Sequence, residues 1–390
     1  MTPAARTQAA IELLDAIIAA AREGGAAADT LIARYFASRR YAGSKDRRAI
    51  RELVYTAVRQ CGEPPSSGRA AMLLVAQSDP ELASRFDGSQ HGPAAIEPGE
   101  PVAEKGVVPA WIARELERSG IQSASWPALV ERAPLDVRVR GDVDARELLS
   151  AFADAQCIAG LERGWRLPAG SDVASLAGAV EVQDAGSQVV SLAAQVGPGM
   201  TVIDLCAGAG GKTLALGDAM EDRGRIVACD VDRGRLSRLA PRAERANLTI
   251  VESRLLDPGR EAQRLGDLQA GADLVFVDAP CSGTGTWRRN PEARWRLTPE
   301  RLSRFVAMQA HVLEVAAPLV KPGGAIVYVV CSLLDAEGKD QVDNFLSAHA
   351  GWTAADPMLP IGAAHGRGVR LSPAQDQSDG FFVARLVAPC

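Results

Sequence analysis

The sequence predicts an α/β protein whose larger part is a doubly wound parallel sheet, preceded by an all-α region and a small α+β module. Three observations predict it. From Gly197 onward, five short apolar runs alternate with helical patterns, the rhythm of a sheet covered on both faces. Up to Gln77, apolar residues instead recur at helical spacing, as in Ile11, Leu14 and Ile18 or Ile50, Leu53, Val54 and Val58. Between the two lies LDVRVRG, a strand pattern, followed by the helical ARELLSAFADA and the strand-like CIAGLERGWRL.

Taken in order, Ala4 to Gln77 reads as helices, interrupted at GEPPSSG (Gly62 to Gly68), where the next helix starts near Ala70. Residues 87–106 are poor in large apolar side chains and read as a loop. The domain boundaries expected from these shifts are 1–106, 107–190 and 191–390. In the last of these, TVIDL, RIVACD, LTIVE, ADLVFVDAP and GAIVYVVCS are the strands. RGRLSRLAPRAERA and PERLSRFVAMQAHVLEVAAPLV are helices between them, the second opened by Thr298 as N-cap and Pro299 in its first turn.

Composition narrows the classes. The 390 residues carry 47% apolar and 23% charged residues, ordinary for a globular protein. No apolar run is long enough for a bilayer, and MTPAARTQAA is not a signal peptide. Seven cysteines without CxxC pairs, and four scattered histidines, argue against a disulfide framework and a metal site. A cytoplasmic monomer is expected. The net charge of −5 gives no global attraction to nucleic acid, so RNA contact would fall to local patches. SRRYAGSKDRRAIR (Ser38 to Arg51) reads equally as a solvated helix face; WRRNPEARWR (Trp287 to Arg296) mixes tryptophans and arginines in a way that suits base stacking.

The first apolar strand runs into DLCAGAGGKT, Asp204 to Thr213. A phosphate loop would need glycine at Cys206, and the dinucleotide pattern starting at Gly208 and Gly210 would need one at Thr213. Neither register fits. The turn therefore brings bare backbone up to a ligand without a phosphate. In a doubly wound sheet, ligands collect at the carboxyl ends of the strands. The second strand ends at Asp230, suited to ribose hydroxyls; Asp257, after the third, suits an adenine amino group; the fourth ends in Asp278-Ala-Pro-Cys281 and the fifth in Cys331-Ser332. A ribose-reading acid beside such a turn suits S-adenosylmethionine.

Two cysteines at neighbouring strand ends point to chemistry on an unreactive ring carbon. A thiolate adding to carbon 6 of cytosine makes carbon 5 nucleophilic, and a second group then helps release the first thiol. An acid such as Asp278 would stabilise the charge developing on the base.

With QDAGSQ (Gln183 to Gln188), DLCAGAGGKT, VDAPCSGTGTWRRNP, KPGGAIVYVVCS and DGFFVARL (Asp379 to Leu386), the sequence closely resembles the RsmB/Sun family of RNA 5-methylcytosine methyltransferases over about residues 125–390. The resemblance implies a Rossmann-like, S-adenosylmethionine-dependent sheet with Cys331 as nucleophile and Cys281 as the cysteine assisting release. It places Asp278 and Lys212 against the target base. It assigns the cofactor contacts to Cys206, Ala207, Gly208, Ala209, Gly210, Gly211 and Lys212, with Asp230, Asp257 and Asp278. It further implies that the helical region, with SKDRRAIRELVYTAVR, is a NusB-like RNA-binding domain and that RAPLDVRV opens an RRM-like module. The implied substrate is 16S ribosomal RNA, free or in the small subunit. Three departures stand out: Gly208 and Ala209 replace the family's Ala-Pro, Val330 replaces Thr before the nucleophile, and the acidic-Asn stretch is reduced to DAEGKD. The alternatives are an RNA-binding assembly factor without turnover, or an enzyme acting on a tRNA or DNA cytosine.

Overall fold

A computed structural model describes residues 1–390 and resolves them into two units. Met1–Arg132 and Thr286–Thr298 form one; Ala133–Gly285 and Pro299–Cys390 form the other.

The first unit is helical, built from α1 (Pro3–Glu23), α2 (Ala28–Ser38), α3 (Ser44–Gln60) and α4 (Gly68–Ala76), with shorter helices beyond. The Thr2 hydroxyl caps α1, Pro3 opens it, and Gly24 ends it in the left-handed conformation. Leu14, Ile17 and Ile18 of α1 share one core with Ile32, Ile50, Val54 and Val58. Each such side chain, fully buried, contributes roughly 1.5–3 kcal/mol.

The stretch Trp287–Arg296, expected to stack on bases, is instead packed among these helices. Trp287 and Arg294 are wholly buried and Trp295 nearly so. The arginines satisfy helix ends: Arg294 donates to the carbonyls of Val58 (2.6 Å) and Cys61 (2.8 Å), where α3 stops, and to that of Pro291 in its own turn. Arg296 donates to those of Ala20, Gly25 and Ala26, where α1 stops. A guanidinium is suited to this, because the last carbonyls of a helix lack partners and carry its negative end. By contrast Arg40, Tyr41, Lys45, Arg48 and Arg51 are exposed.

The second unit begins with a four-stranded antiparallel sheet: β1 (Leu135–Val139), β2 (Gln156–Cys157), β3 (Gly164–Leu167) and β4 (Val180–Val182), in the order β2-β3-β1-β4. ARELLSAFADA gives a single helical turn, Ala145–Leu148, followed by successive turns.

The main sheet has nine strands: β5 (Thr201–Asp204), β6 (Arg225–Asp230), β7 (Val251–Leu255), β8 (Ala272–Asp278), β9 (Val320–Val330), β10 (Thr353–Ala355), β11 (Ala363–His365), β12 (Gly368–Leu371) and β13 (Phe381–Val387). Its path is β11-β12-β13-β9-β8-β5-β6-β7, with β10 beside β13. β5 to β9 are parallel and β13 is antiparallel to β9. Both faces are buried: Ile203, Val275, Val277 and Tyr328 look one way, Val202, Leu274, Phe276 and Val329 the other. This explains the unbroken apolar runs. β7 starts later than LTIVE suggests and exposes Glu252 and Ser253, as an edge strand can. The helix expected over 233–246 is two, Arg233–Leu236 and Leu239–Arg245. The restart puts Pro241 in a first turn, where its missing N–H is not needed. No helix is long and apolar enough to cross a membrane.

β5, the first strand of the parallel set, lies between β6 and β8. The winding reverses there, and in folds of this kind ligands bind at the carboxyl ends of the strands flanking the reversal.

Candidate active site

At the end of β5 the chain turns through Cys206–Gly210 into the helix Gly211–Ala219. Gly208 and Gly210 adopt φ of 57° and 88°, the region open to glycine. A Cβ at Gly210 would sit 2.1 Å from the Leu239 side chain, and one at Gly208 would sit 2.4 Å from the Arg235 guanidinium. The helix has no side-chain cap, so its first amides are left to solvent or a ligand. Lys212 does not serve a phosphate: its Nζ is 2.6 Å from Asp278 Oδ2. Burial alone would lower the Lys212 pKa, but the Asp278 carboxylate outweighs it and holds the ammonium above its ordinary value.

Two acids underlie the turn. Asp230, 5% exposed, accepts the Gly208 N–H and the Asp232 N–H, each at 2.7 Å, with Arg235 Nη1 3.8 Å away. Asp204 is buried more deeply and accepts the Thr213 hydroxyl at 2.6 Å, while its other oxygen has no partner. Burial pushes its carboxyl up to about 7, against the opposing Thr213 hydrogen bond. A bare backbone turn, an acid at the next strand end and a lysine already paired suit a nucleoside ligand better than a phosphate.

Beside this turn stand the thiols. Cys281 follows β8 and Cys331 follows β9, and their Sγ atoms are 3.3 Å apart. Both are partly buried. The hydrogen bond to Cys331, burial and the charge of Glu337 together hold the Cys281 thiol well above its ordinary pKa. The Lys212 ammonium, by contrast, interacts favourably with Cys331 and lies 5.4 Å from the centre of the Phe381 ring. The four sequence-predicted groups Lys212, Asp278, Cys281 and Cys331 are thus one cluster.

Glu337 lies beneath the thiols and is 0% exposed. Its Oε1 accepts from Ser282 N (2.8 Å) and Gln309 Nε2 (3.1 Å). Its Oε2 accepts from the hydroxyls of Ser282 and Ser332, the latter at 2.5 Å. Thr284 Oγ1 is 3.0 Å from Ser332 Oγ and accepts the Leu333 N–H. The loop after Cys281 is further held by Gly285, which donates to the Cys331 carbonyl and accepts from Gly380 N. A Cβ at Gly285 would fall 2.0 Å from the Gly380 carbonyl oxygen, so only glycine permits that approach. Asp184, in QDAGSQ, caps its helix and also accepts the Asp379 N–H, which joins two of the quoted stretches.

Asp257 is placed differently. Its carboxylate is exposed and pairs with Arg264 at 3.1 Å, and no hydrogen bond links it to the turn. Glu337 was missed in the sequence, where DAEGKD reads as a degraded motif. The available signal was the repeated Cys-Ser dipeptide at 281–282 and 331–332, two hydroxyls that need an acceptor. Val330, in place of Thr, is fully buried in the sheet.

A relative from Synechocystis sp., named probable ribosomal RNA small subunit methyltransferase B, is 34% identical over 256 residues, which is 62% of this chain and 56% of that protein. The chain therefore spans little more than half the length of that relative. The solved structure of PH0851 superposes with a TM-score of 0.79 at 22% identity, over 99% of each chain. A methyltransferase homolog protein from Pyrococcus horikoshii gives 0.60 at 23% identity, over 72% of this chain and all of that one. These likenesses show the fold. The family model described as 16S rRNA methyltransferase RsmB/F matches residues 191–387, about half of the chain and the part that contains the glycine turn, both thiols and Glu337, and the chain belongs to that family.

Proposed function

We propose that the chain methylates carbon 5 of a cytosine in ribosomal RNA, with 16S rRNA as substrate, through a covalent adduct between Cys331 and the base. The observation that carries this reading is the contact between two thiols at adjacent strand ends, beside a glycine turn with an uncapped helix start. One thiol would suffice for a simple nucleophile; two in contact suit addition followed by assisted release.

In this reading the turn from Cys206 to Lys212, with Asp230, Asp257 and Asp278, holds S-adenosylmethionine, which supplies an electrophilic methyl group. Cys331, facing the Lys212 ammonium, adds to carbon 6 and pushes electron density onto carbon 5. Asp278 and Lys212, held together at 2.6 Å, face the polar edge of the ring and steady its developing charge. Once carbon 5 carries the new methyl group, a base takes the carbon 5 proton, that electron pair re-forms the ring double bond, and the carbon 6–sulfur bond breaks to expel Cys331 as thiolate. Cys281 assists that release. The cytosine must leave its stack for a thiol to reach carbon 6. The helical unit, read as NusB-like, would bind RNA through the exposed Arg40, Lys45, Arg48 and Arg51.

The test is transfer of labelled methyl from S-adenosylmethionine to unmodified 16S rRNA, followed by bisulfite mapping. The wild-type chain should leave 5-methylcytosine, and Cys331→Ala should leave none. Full transfer by Cys331→Ala would end the reading.

A further inference from the structure

We propose that Glu337 is the positioning residue of the thiol pair: its carboxylate ties together the two loops that carry Cys281 and Cys331, holding the sulfurs in contact and chemically unequal. The inference rests on the roles proposed for these thiols.

Geometry carries it. Ser282 and Ser332 each follow a cysteine directly, and their Oγ atoms are 3.2 Å apart, just as the two Sγ atoms are 3.3 Å apart. The two segments therefore run in contact at two consecutive positions, and both hydroxyls donate to one oxygen of Glu337. The other oxygen takes the Ser282 N–H and Gln309 Nε2, and the same Gln309 nitrogen also donates to the Pro280 carbonyl. Tyr328, in β9, donates to the Glu337 backbone carbonyl at 2.6 Å. The carboxylate thus holds the residue after each cysteine directly and Pro280 through Gln309, while its backbone carbonyl is tied to β9.

A packing role would not need a charge here. Glu337 is fully buried, and a buried polar side chain needs partners for its lone pairs. Four donors use them. Only a carboxylate accepts at both oxygens; a glutamine would turn an N–H₂ towards hydroxyls, and Ser332 Oγ already accepts from Leu334 N. The charge also divides the thiols. Cys281 is faced by Cys331 and by Glu337, which favour its protonated form. Cys331 is faced by Cys281 and by Lys212 with its Asp278 partner.

Two measurements on the full chain, without RNA, test this. The first is the pH profile of iodoacetamide alkylation at each cysteine, read by peptide mass spectrometry. The second is the Cys281–Cys331 disulfide equilibrium against oxidised and reduced glutathione, which measures how well the sulfurs are held together. Glu337→Gln should lower the alkylation midpoint of Cys281 by about one pH unit, through loss of the charge, and weaken the disulfide equilibrium at least tenfold. Ser332→Ala keeps the charge and should weaken only the equilibrium. A folded Glu337→Gln chain with wild-type behaviour in both measurements would overturn the proposal. If Glu337→Gln does not fold, a wild-type disulfide equilibrium in Ser332→Ala overturns it. Because neither readout needs methyl transfer, failure here is separable from failure of the proposed reaction.

Discussion

The sulfurs of Cys281 and Cys331 touch at 3.3 Å although fifty residues separate them. Their neighbours in the sheet explain it: β8 and β9 are adjacent and parallel, with Asp278 opposite Val329, so the residues that follow leave the sheet side by side. Carbons 5 and 6 of a pyrimidine are bonded neighbours, and a pair of thiols at this spacing can address both. The order of events then decides which thiol attacks.

Under the proposed reaction, Cys281→Ala is expected to trap the chain on RNA. With Cys331 intact, addition proceeds, and without Cys281 release stalls. A protein–RNA species stable to denaturing electrophoresis should accumulate with Cys281→Ala, vanish with Cys331→Ala, and be absent in the double variant. An adduct that needed Cys281 and ignored Cys331 would reverse the two roles.

Lys212→Met should act on the chemical step. It leaves the Asp278 carboxylate, 30% exposed, without its partner at 2.6 Å, and removes the positive charge facing Cys331. Loss of one aimed charge of this kind costs about 10²–10³ in kcat. Single-turnover methyl transfer should show that fall while the RNA dissociation constant stays near wild type. A change confined to RNA affinity would instead make Lys212 a docking residue.

Arg294→Met separates the two readings of the tryptophan–arginine stretch. The side chain is wholly buried and serves the carbonyls of Pro291, Val58 and Cys61, and burial lowers its pKa to about 10. Leaving such carbonyls unsatisfied costs about 1–3 kcal/mol each, less what water recovers. The variant should unfold at distinctly lower urea concentration. Wild-type stability with weakened RNA binding would restore base stacking as the role of the segment.

That segment also shows where the sequence stops being legible. Periodicity and apolar runs located the parallel strands because both faces of the sheet are buried, and the strand-end rule located Asp230, Asp278, Cys281 and Cys331. Trp287 and Trp295 beside arginines look the same whether they meet bases or helix ends; only the tertiary fold, which returns 286–298 to α1 and α3, decides. Glu337 was hidden for a related reason. Three of its four donors come from residues 282 and 309, and apart from the repeated Cys-Ser dipeptide no pattern announces a carboxylate whose partners are that distant.

Asp204 makes the last prediction, on stability against pH. Burial raises its carboxyl from 3.8 to about 7 in the folded chain. Below about pH 4 both folded and unfolded chains hold the proton, and this group does not bias folding. Between about pH 4 and 7 the unfolded chain has lost it while the folded chain keeps it, so stability falls as pH rises. Above about 7 the penalty is complete. At about 1.4 kcal/mol per unit the whole effect is at most about 4 kcal/mol. Asp204→Asn keeps an oxygen for the Thr213 hydroxyl and removes the titration. Urea denaturation at pH 4.5, 6 and 7.5 should show the variant gaining on the wild type as pH rises, with the smallest difference at the acid end. Parallel curves for the two chains would mean that Asp204 is already ionised in the fold, and that the partnerless oxygen beneath the glycine turn is solvated.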